Sequence, residues 1–303
     1  MVGEFEFLTR LRDRLPHAPE GQLWSGDDAA VLANGLLAAT DALVDNVHFR
    51  LSRGAPADVG WKSIAVNVSD LAAMGGTPTA ALAAVALPPD LAVADALVDG
   101  MIAACEAFGC PLVGGDLTTA PVAMIAIAAL GQAPATGPVT RAGARPGDTV
   151  FVTGSLGAAA GALHAIDRSE VPHPEGVVRL DRPVARLAEG QAAARAGARA
   201  MIDVSDGFAQ DLGHICDESG VGVRVDAEAV PVGPGATIDD ALAGGDDYEL
   251  VFCAPDPDAV RAAFVAAGLA PPSAVGTIVE GGRTVLVDGR ERDLGTGGWE
   301  HQL

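Results

Sequence analysis

The apolar positions of this chain fall into short blocks whose period changes repeatedly, and the changes mark out its elements. Residues 35–41, 79–87 and 122–131 are runs rich in Ala, Val, Leu and Ile, bounded by Gly, Asp or Pro, and they predict strands. Residues 56–74 and 90–108 have helical character; Gly75-Gly76-Thr77-Pro78 stops the first, and an acidic residue, Asp90, opens the second. A segment rich in Pro and Gly follows over 133–147. Beyond it, strands are predicted at 148–153, 201–204, 221–225, 249–252, 275–279 and 284–287. Between them lie helices at 154–165, 206–219 and 257–268, and an Arg/Ala-rich one ending near 198. Alternating strands and helices predict an α/β or α+β protein, divided at the Pro/Gly segment into domains 1–138 and 139–303.

Composition narrows the classes. Nearly half of the 303 residues are apolar, enough for a sizeable core, which excludes disorder as the main state. The formal charge is −21, so a general positive field for nucleic acid or anionic membrane is absent. The opening residues are charged and amphipathic, and the apolar runs are too short to span a bilayer, so a cytoplasmic protein with no membrane partner is expected. Cys105, Cys110, Cys216 and Cys253 show no CxxC spacing and read as buried free thiols.

The familiar phosphate motifs fail. The chain's one lysine, Lys62, lacks the upstream glycine spacing of a P-loop, and no protein-kinase catalytic loop is present. Gly154-Ser155-Leu156-Gly157 is a strand-to-helix turn of the kind that can hold an anion. The aspartates say more. They recur beside glycines and at the ends of apolar runs: Asp27-Asp28, Thr40-Asp41, Gly115-Asp116, Asp203-Val204-Ser205-Asp206 and Gly245-Asp246-Asp247. Any one of them reads as a turn or a cap, and Asp206 fits an N-cap. Asp70 is different, because it lies in an otherwise apolar helix and continues a stripe with Ser63 and Asn67. A buried carboxylate needs a cation or donors, and converging carboxylates select a hard ion such as Mg²⁺ with phosphate completing its shell. Magnesium-nucleotide chemistry is the expectation that results.

Seven ordered stretches then carry a resemblance: GDDAAV (26–31), TDALVDNVHF (40–49), WKSIAVNVSDLAAMGG (61–76), VGGD (113–116), TRAGARPGD (140–148), IDVSDGFAQDLGHI (202–215) and GGDDYELVF (245–253). Together they resemble the thiamine-monophosphate kinase family, within the superfamily of aminoimidazole-ribonucleotide synthetase. The resemblance implies transfer of the γ-phosphoryl group of ATP to thiamine monophosphate. It implies two domains, with strands of the first forming a barrel across a homodimer and the second an α/β sandwich. It assigns Asp28, Thr40, Asp41, Asp70, Asp116, Asp203 and Asp206 to magnesium. Gly115, Asp116, Arg141 and Ser205 would hold ATP, and His48, Asp246 and Trp299 would lie at thiamine monophosphate. Asp246 stands where the family often has Glu. An acceptor that is already a phosphate dianion needs no general base, so positioning and charge neutralisation would supply the catalysis. The competing readings are another ATP-dependent enzyme of the superfamily and a Mg-nucleotide-binding protein without catalysis.

Overall fold

Each half of the chain builds its own sheet. The computed structural model describes residues 4–12, 14–295 and 297–299. Helix α1 (Glu4–Arg12) leads to strands β1 (Ala30–Val31) and β2 (Leu36–Val44). Then come α2 (Pro56–Ala73), β3 (Thr77–Leu87), α3 (Leu91–Phe108), β4 (Leu112–Thr119) and β5 (Met124–Gln132). The sheet order is β1-β2-β5-β3-β4, with β3 and β4 parallel and the other pairs antiparallel. Strand alternation sends Leu37, Leu43, Ala81, Val85, Ile125 and Ile127 into the core beneath α2 and α3. The opposite face is open, and Leu82 and Met124 stand exposed on it. Helices α2 and α3 touch through glycine: a Cβ on Gly60 would overlap the Leu97 carbonyl, and one on Gly100 the Ala57 carbonyl.

The second half holds β6 (Thr149–Val152), α4 (Ala158–Asp167), α5 (Pro174–Asp181), α6 (Leu187–Arg195), β7 (Ala200–Asp203) and α7 (Phe208–Ser219). After these follow β8 (Gly222–Asp226), α8 (Ile238–Ala243), β9 (Leu250–Ala254), α9 (Pro257–Ala266), β10 (Ser273–Val279), β11 (Arg283–Val287) and β12 (Arg290–Asp293). The order is β12-β11-β8-β10-β6-β9-β7, and β8 and β11 form its parallel pair. This sheet is covered on both faces. Val150, Val152 and Ile202 pack with Phe208, Leu212 and Ile215 of α7. On the other side Phe151, Met201 and Phe252 pack with Ala192 and Ala193 of α6 and Phe264 of α9. Both sheets are mixed and mainly antiparallel, which places the fold on the α+β side of the expectation.

Helix α2 joins the halves, lying against both α6 and β7. A side chain on Gly190 of α6 would strike the Ala72 carbonyl, so the two helices meet closely. That contact sets the last turn of α2, with Asp70, against the end of β7, with Asp203.

Several local expectations change. Asp206 does not hold the cap position of α7: the helix starts at Phe208 and Gly207 precedes it as the cap. Gly114-Gly115-Asp116, with the turn composition noted above, lie within the exposed edge strand β4. Helices α5 and α8 and strand β12 arise in Pro-rich or charged segments that show no clear period. The four cysteines are buried and free. Among the described residues no helix is long and apolar enough to cross a membrane.

Candidate active site

Three segments distant in sequence bring aspartates together. Asp28 lies in the loop before β1, Asp70 in the last turn of α2, and Asp203 at the end of β7. Each offers a carboxylate oxygen within 4.8 Å of the others. Compensation is sparse. Arg141 donates from its guanidinium to Asp28 Oδ1 at 2.6 Å, and Ser69 donates its hydroxyl to Asp203 Oδ2 at 2.6 Å. Asp28 Oδ2 is buried with no hydrogen-bond partner among the described residues. Asp27 sits alongside, accepting the backbone N–H groups of Arg141 (3.0 Å) and Asp28 (3.1 Å).

Burial is the main force on these groups. It raises Asp203 to about 8 and Asp27 to about 7, with the charge of Asp28 adding to both. Asp70 is pushed well above the carboxylate range by burial, then by Asp41 and Asp203. Asp41, at the rim on β2, is raised by the protein crowding around it and by Asp28. Two ionised carboxylates about 4 Å apart repel by roughly 1–4 kcal/mol, so three with a single guanidinium are an unfavourable set at neutral pH. They must hold protons or receive a cation, and an all-oxygen donor set with an orphaned lone pair fits a hard divalent ion.

The polar stripe on α2 contributes less than its spacing suggests. Ser63 donates to the Gly60 carbonyl at 2.8 Å, and Asn67 to the Ser63 carbonyl at 2.9 Å. Asn67 Oδ1 accepts the Asp41 N–H at 2.7 Å, so Asn67 positions β2 and does not face the cluster as a ligand. Of that stripe, Asp70 reaches the cluster.

Ser205 and Asp206 follow Asp203 in a turn shaped by a residue the sequence reading passed over. Asp211 Oδ2 accepts three backbone N–H groups, from Ser205 (3.1 Å), Asp206 (3.2 Å) and Gly207 (3.0 Å). The 245–248 loop is laced to the same turn: the Asp246 N–H donates to the Ser205 carbonyl and the Tyr248 N–H to the Val204 carbonyl, both at 2.8 Å. Trp299 docks here through its backbone, its N–H donating to the Asp206 carbonyl (3.0 Å) and its carbonyl accepting from Gln210 (2.9 Å). Trp299 as a whole is 55% exposed.

Asp246 pairs with buried Lys62, whose Nζ is 2.9 Å away. His48 stands next to this pair: its carbonyl lies 3.4 Å from Lys62 Nζ, and its Nδ1 accepts the Val44 N–H at 3.0 Å. His48 and Lys62 also line a cavity with Phe49, Val59 and Leu180. A lone lysine inside an apolar helix is a signal legible in sequence; its partner is not.

Three expected residues do not join the cluster within one chain. Thr40 alternates to the face of β2 opposite Asp41. Gly115 and Asp116 lie on β4, which is separated from β2 by β5 and β3. The Gly154–Gly157 turn is filled by the protein's own carboxyl group: both Asp247 oxygens accept the Gly157 N–H, at 2.9 and 2.8 Å.

Known proteins share this fold. The N-terminal domain of AIR synthase related protein matches residues 26–133, and its C-terminal domain matches 145–289. The thiamine-monophosphate kinase of Mycobacterium tuberculosis (strain CDC 1551 / Oshkosh) is 37% identical over 309 residues, covering 99% of this chain and 91% of that protein. That of Salmonella typhimurium is 38% identical over 273 residues, covering 84% and 83%. The solved structure of AaThiL complexed with AMPPCP and TMP aligns with a TM-score of 0.87 at 31% identity, over 99% of this chain and 97% of that one. The chain belongs to the thiamine-monophosphate kinase family of AIR synthase related proteins.

Proposed function

We propose that this chain transfers the γ-phosphoryl group of ATP to the phosphate of thiamine monophosphate, yielding thiamine diphosphate and ADP. The observation that carries the reading is the under-compensated set Asp28, Asp70 and Asp203, in a fold shared with a relative bound to AMPPCP and TMP. These three, with Asp41, Asp206 and the Thr40 backbone, would hold Mg²⁺, which supplies charge neutralisation of the phosphates. Arg141, anchored on Asp28, adds a fixed guanidinium beside the same oxygens. The Ser205 turn, braced by Asp211, offers the donor a preorganised edge. Asp246, His48 and Trp299 surround the acceptor. The acceptor phosphate is largely dianionic at neutral pH, so no side chain has to remove a proton. The chain's work is to align two phosphates in line and hold them against their repulsion.

Gly115 and Asp116 enter through a homodimer. Across the sheet Asp41 aligns with Ile127, Ala83 and Gly115, so three ladder steps of about 4.8 Å put β4 about 14 Å from Asp41. β1 covers β2 only at Leu37 and Ala38, so at Thr40–Asp41 β2 has no strand partner on that side, although Asn67 takes the Asp41 N–H, and β4 has no strand partner on its outer edge among the described residues. Pairing β4 of one copy with β2 of another would close a barrel and bring Gly115-Asp116 to the metal-binding aspartates. The domain division at 138/139 would separate the sheet proposed to dimerise from the sheet whose β7 ends at Asp203. A cytoplasmic location fits ATP as donor.

Purified protein given Mg²⁺, ATP and thiamine monophosphate should form thiamine diphosphate and ADP. Tight ATP binding with no diphosphate would overturn the kinase reading in favour of a nucleotide-binding protein. Sedimentation equilibrium should give twice the 30.4 kDa chain mass. A fully active monomer would remove the role given to Asp116.

A further inference from the structure

Lys62 is the one lysine in the chain, and it is 3% exposed within α2. A buried ammonium is unfavourable unless paired, and this one is paired specifically, with Asp246 Oδ1 at 2.9 Å. The Tyr248 hydroxyl donates to the same oxygen at 3.1 Å. Two donors thus converge on Oδ1, while Oδ2 has no partner among the described residues. Burial, and then the charge of Asp246, raise the Tyr248 phenol well above its ordinary value, so it stays a donor at neutral pH. The backbone is committed to this placement: Asp246 (φ 67°) and Tyr248 (φ 51°) both occupy the left-handed region that non-glycine residues seldom adopt. Hydrogen bonds to Ser205 and Val204 hold them there.

Lys62 precedes Asp70 by eight residues on α2, which is about 12 Å of helix, so the ammonium that fixes this carboxylate is anchored two turns from the cluster's Asp70. A phosphate has no use for a second anion there. The other end of thiamine monophosphate is a cationic thiazolium and an aminopyrimidine with N–H donors, and both call for an ionised acceptor. We infer that Lys62 and Tyr248 are positioning residues for acceptor recognition: they clamp Asp246 Oδ1 so that Oδ2 is presented to the cationic, N–H-donating end of the acceptor. The inference rests on the kinase reading and gives Asp246 its orientation.

Lys62→Met keeps length and apolar contact while deleting the charge. It should raise KM for thiamine monophosphate about tenfold or more, as expected for a lost charge-assisted contact, leaving kcat and KM for ATP within about twofold. Thiamine without its phosphate should weaken as a competitor in parallel, because the affected end is the ring end. Tyr248→Phe should move the same constant about threefold, and it carries the test if Lys62→Met does not fold. In an Asp246→Asn background Lys62→Met should add nothing. Wild-type turnover with KM for thiamine monophosphate unmoved in both variants would overturn the inference alone, as would an equal loss toward both substrates. No thiamine diphosphate from the wild type would overturn the kinase reading first, and the inference with it.

Discussion

Two buried carboxylate sites in this molecule are built to opposite plans. Glu249, just before β9, has every oxygen answered: Thr153 donates to Oε2 at 2.7 Å, and Arg179 (3.3 Å) and Arg186 both donate to Oε1. The Asp28–Asp70–Asp203 set has one guanidinium and one hydroxyl for three carboxylates, and an oxygen with nothing. Burial raises the pKa in both places, so the difference lies in the donors and not in the direction of the shift. Where a carboxylate only has to hold β9 against α5 and α6, the chain supplies its partners. Where partners are withheld from a largely buried set, the missing charge has to come from outside.

The comparison breaks most visibly at Glu249. Glu249→Ala would leave Arg179 and Arg186 without their shared acceptor in a half-buried site, where the Arg186 Nε already lacks a partner. It should cost about 3–5 kcal/mol in urea unfolding, the usual consequence of removing one side of a buried pair. A cost below about 1 kcal/mol would mean that the network is ornamental and the contrast false. Asp70→Asn should behave in the opposite way. Turnover should fall at least about a hundredfold, equivalent to about 2.7 kcal/mol in the barrier. In chelator, however, the variant should unfold at the same or higher urea concentration than the parent, because a repelled charge has gone. An active Asp70→Asn protein that is less stable in chelator would make the aspartates a structural network of the Glu249 kind.

Much of this was legible in the sequence, and what was not has physical reasons. The apolar runs located most strands to within a few residues, because each is buried on at least one face. β4 was not readable as a strand: Gly114, Gly115 and Asp116 have low strand preference, and pairing with β3 creates the element. Helices α5 and α8 are short and gain their order from packing and from the Thr237 capping box at α8. Motif order named the aspartates that converge, but spacing alone overstated Ser63 and Asn67, whose side chains satisfy carbonyls three and four residues earlier. Lys62 to Asp246 and the three amides on Asp211 depend on folded geometry. Each residue looks ordinary until the chain brings its partner alongside.

Proton linkage tests the same contrast more gently. Without metal, Asp203 titrates near 8 and Asp27 near 7, whereas in the unfolded chain both return to the usual carboxylate value near 3.8. Between those limits the folded state binds more protons than the unfolded state, so the slope of unfolding free energy against pH is negative. In chelator, stability should therefore be greatest toward the acid side of this window, fall as pH rises from about 4 to about 8, and level off once both groups are ionised. Saturating Mg²⁺ should flatten the decline, because ionised carboxylates are the form a cation binds. Its apparent affinity should rise over the same interval as protons are displaced. Melting temperature followed against pH, with EDTA and with Mg²⁺, reads both curves. Parallel curves in the two conditions would mean that the titrating aspartates are not the ones that meet the metal, and the cluster's shortage of donors would then need another explanation.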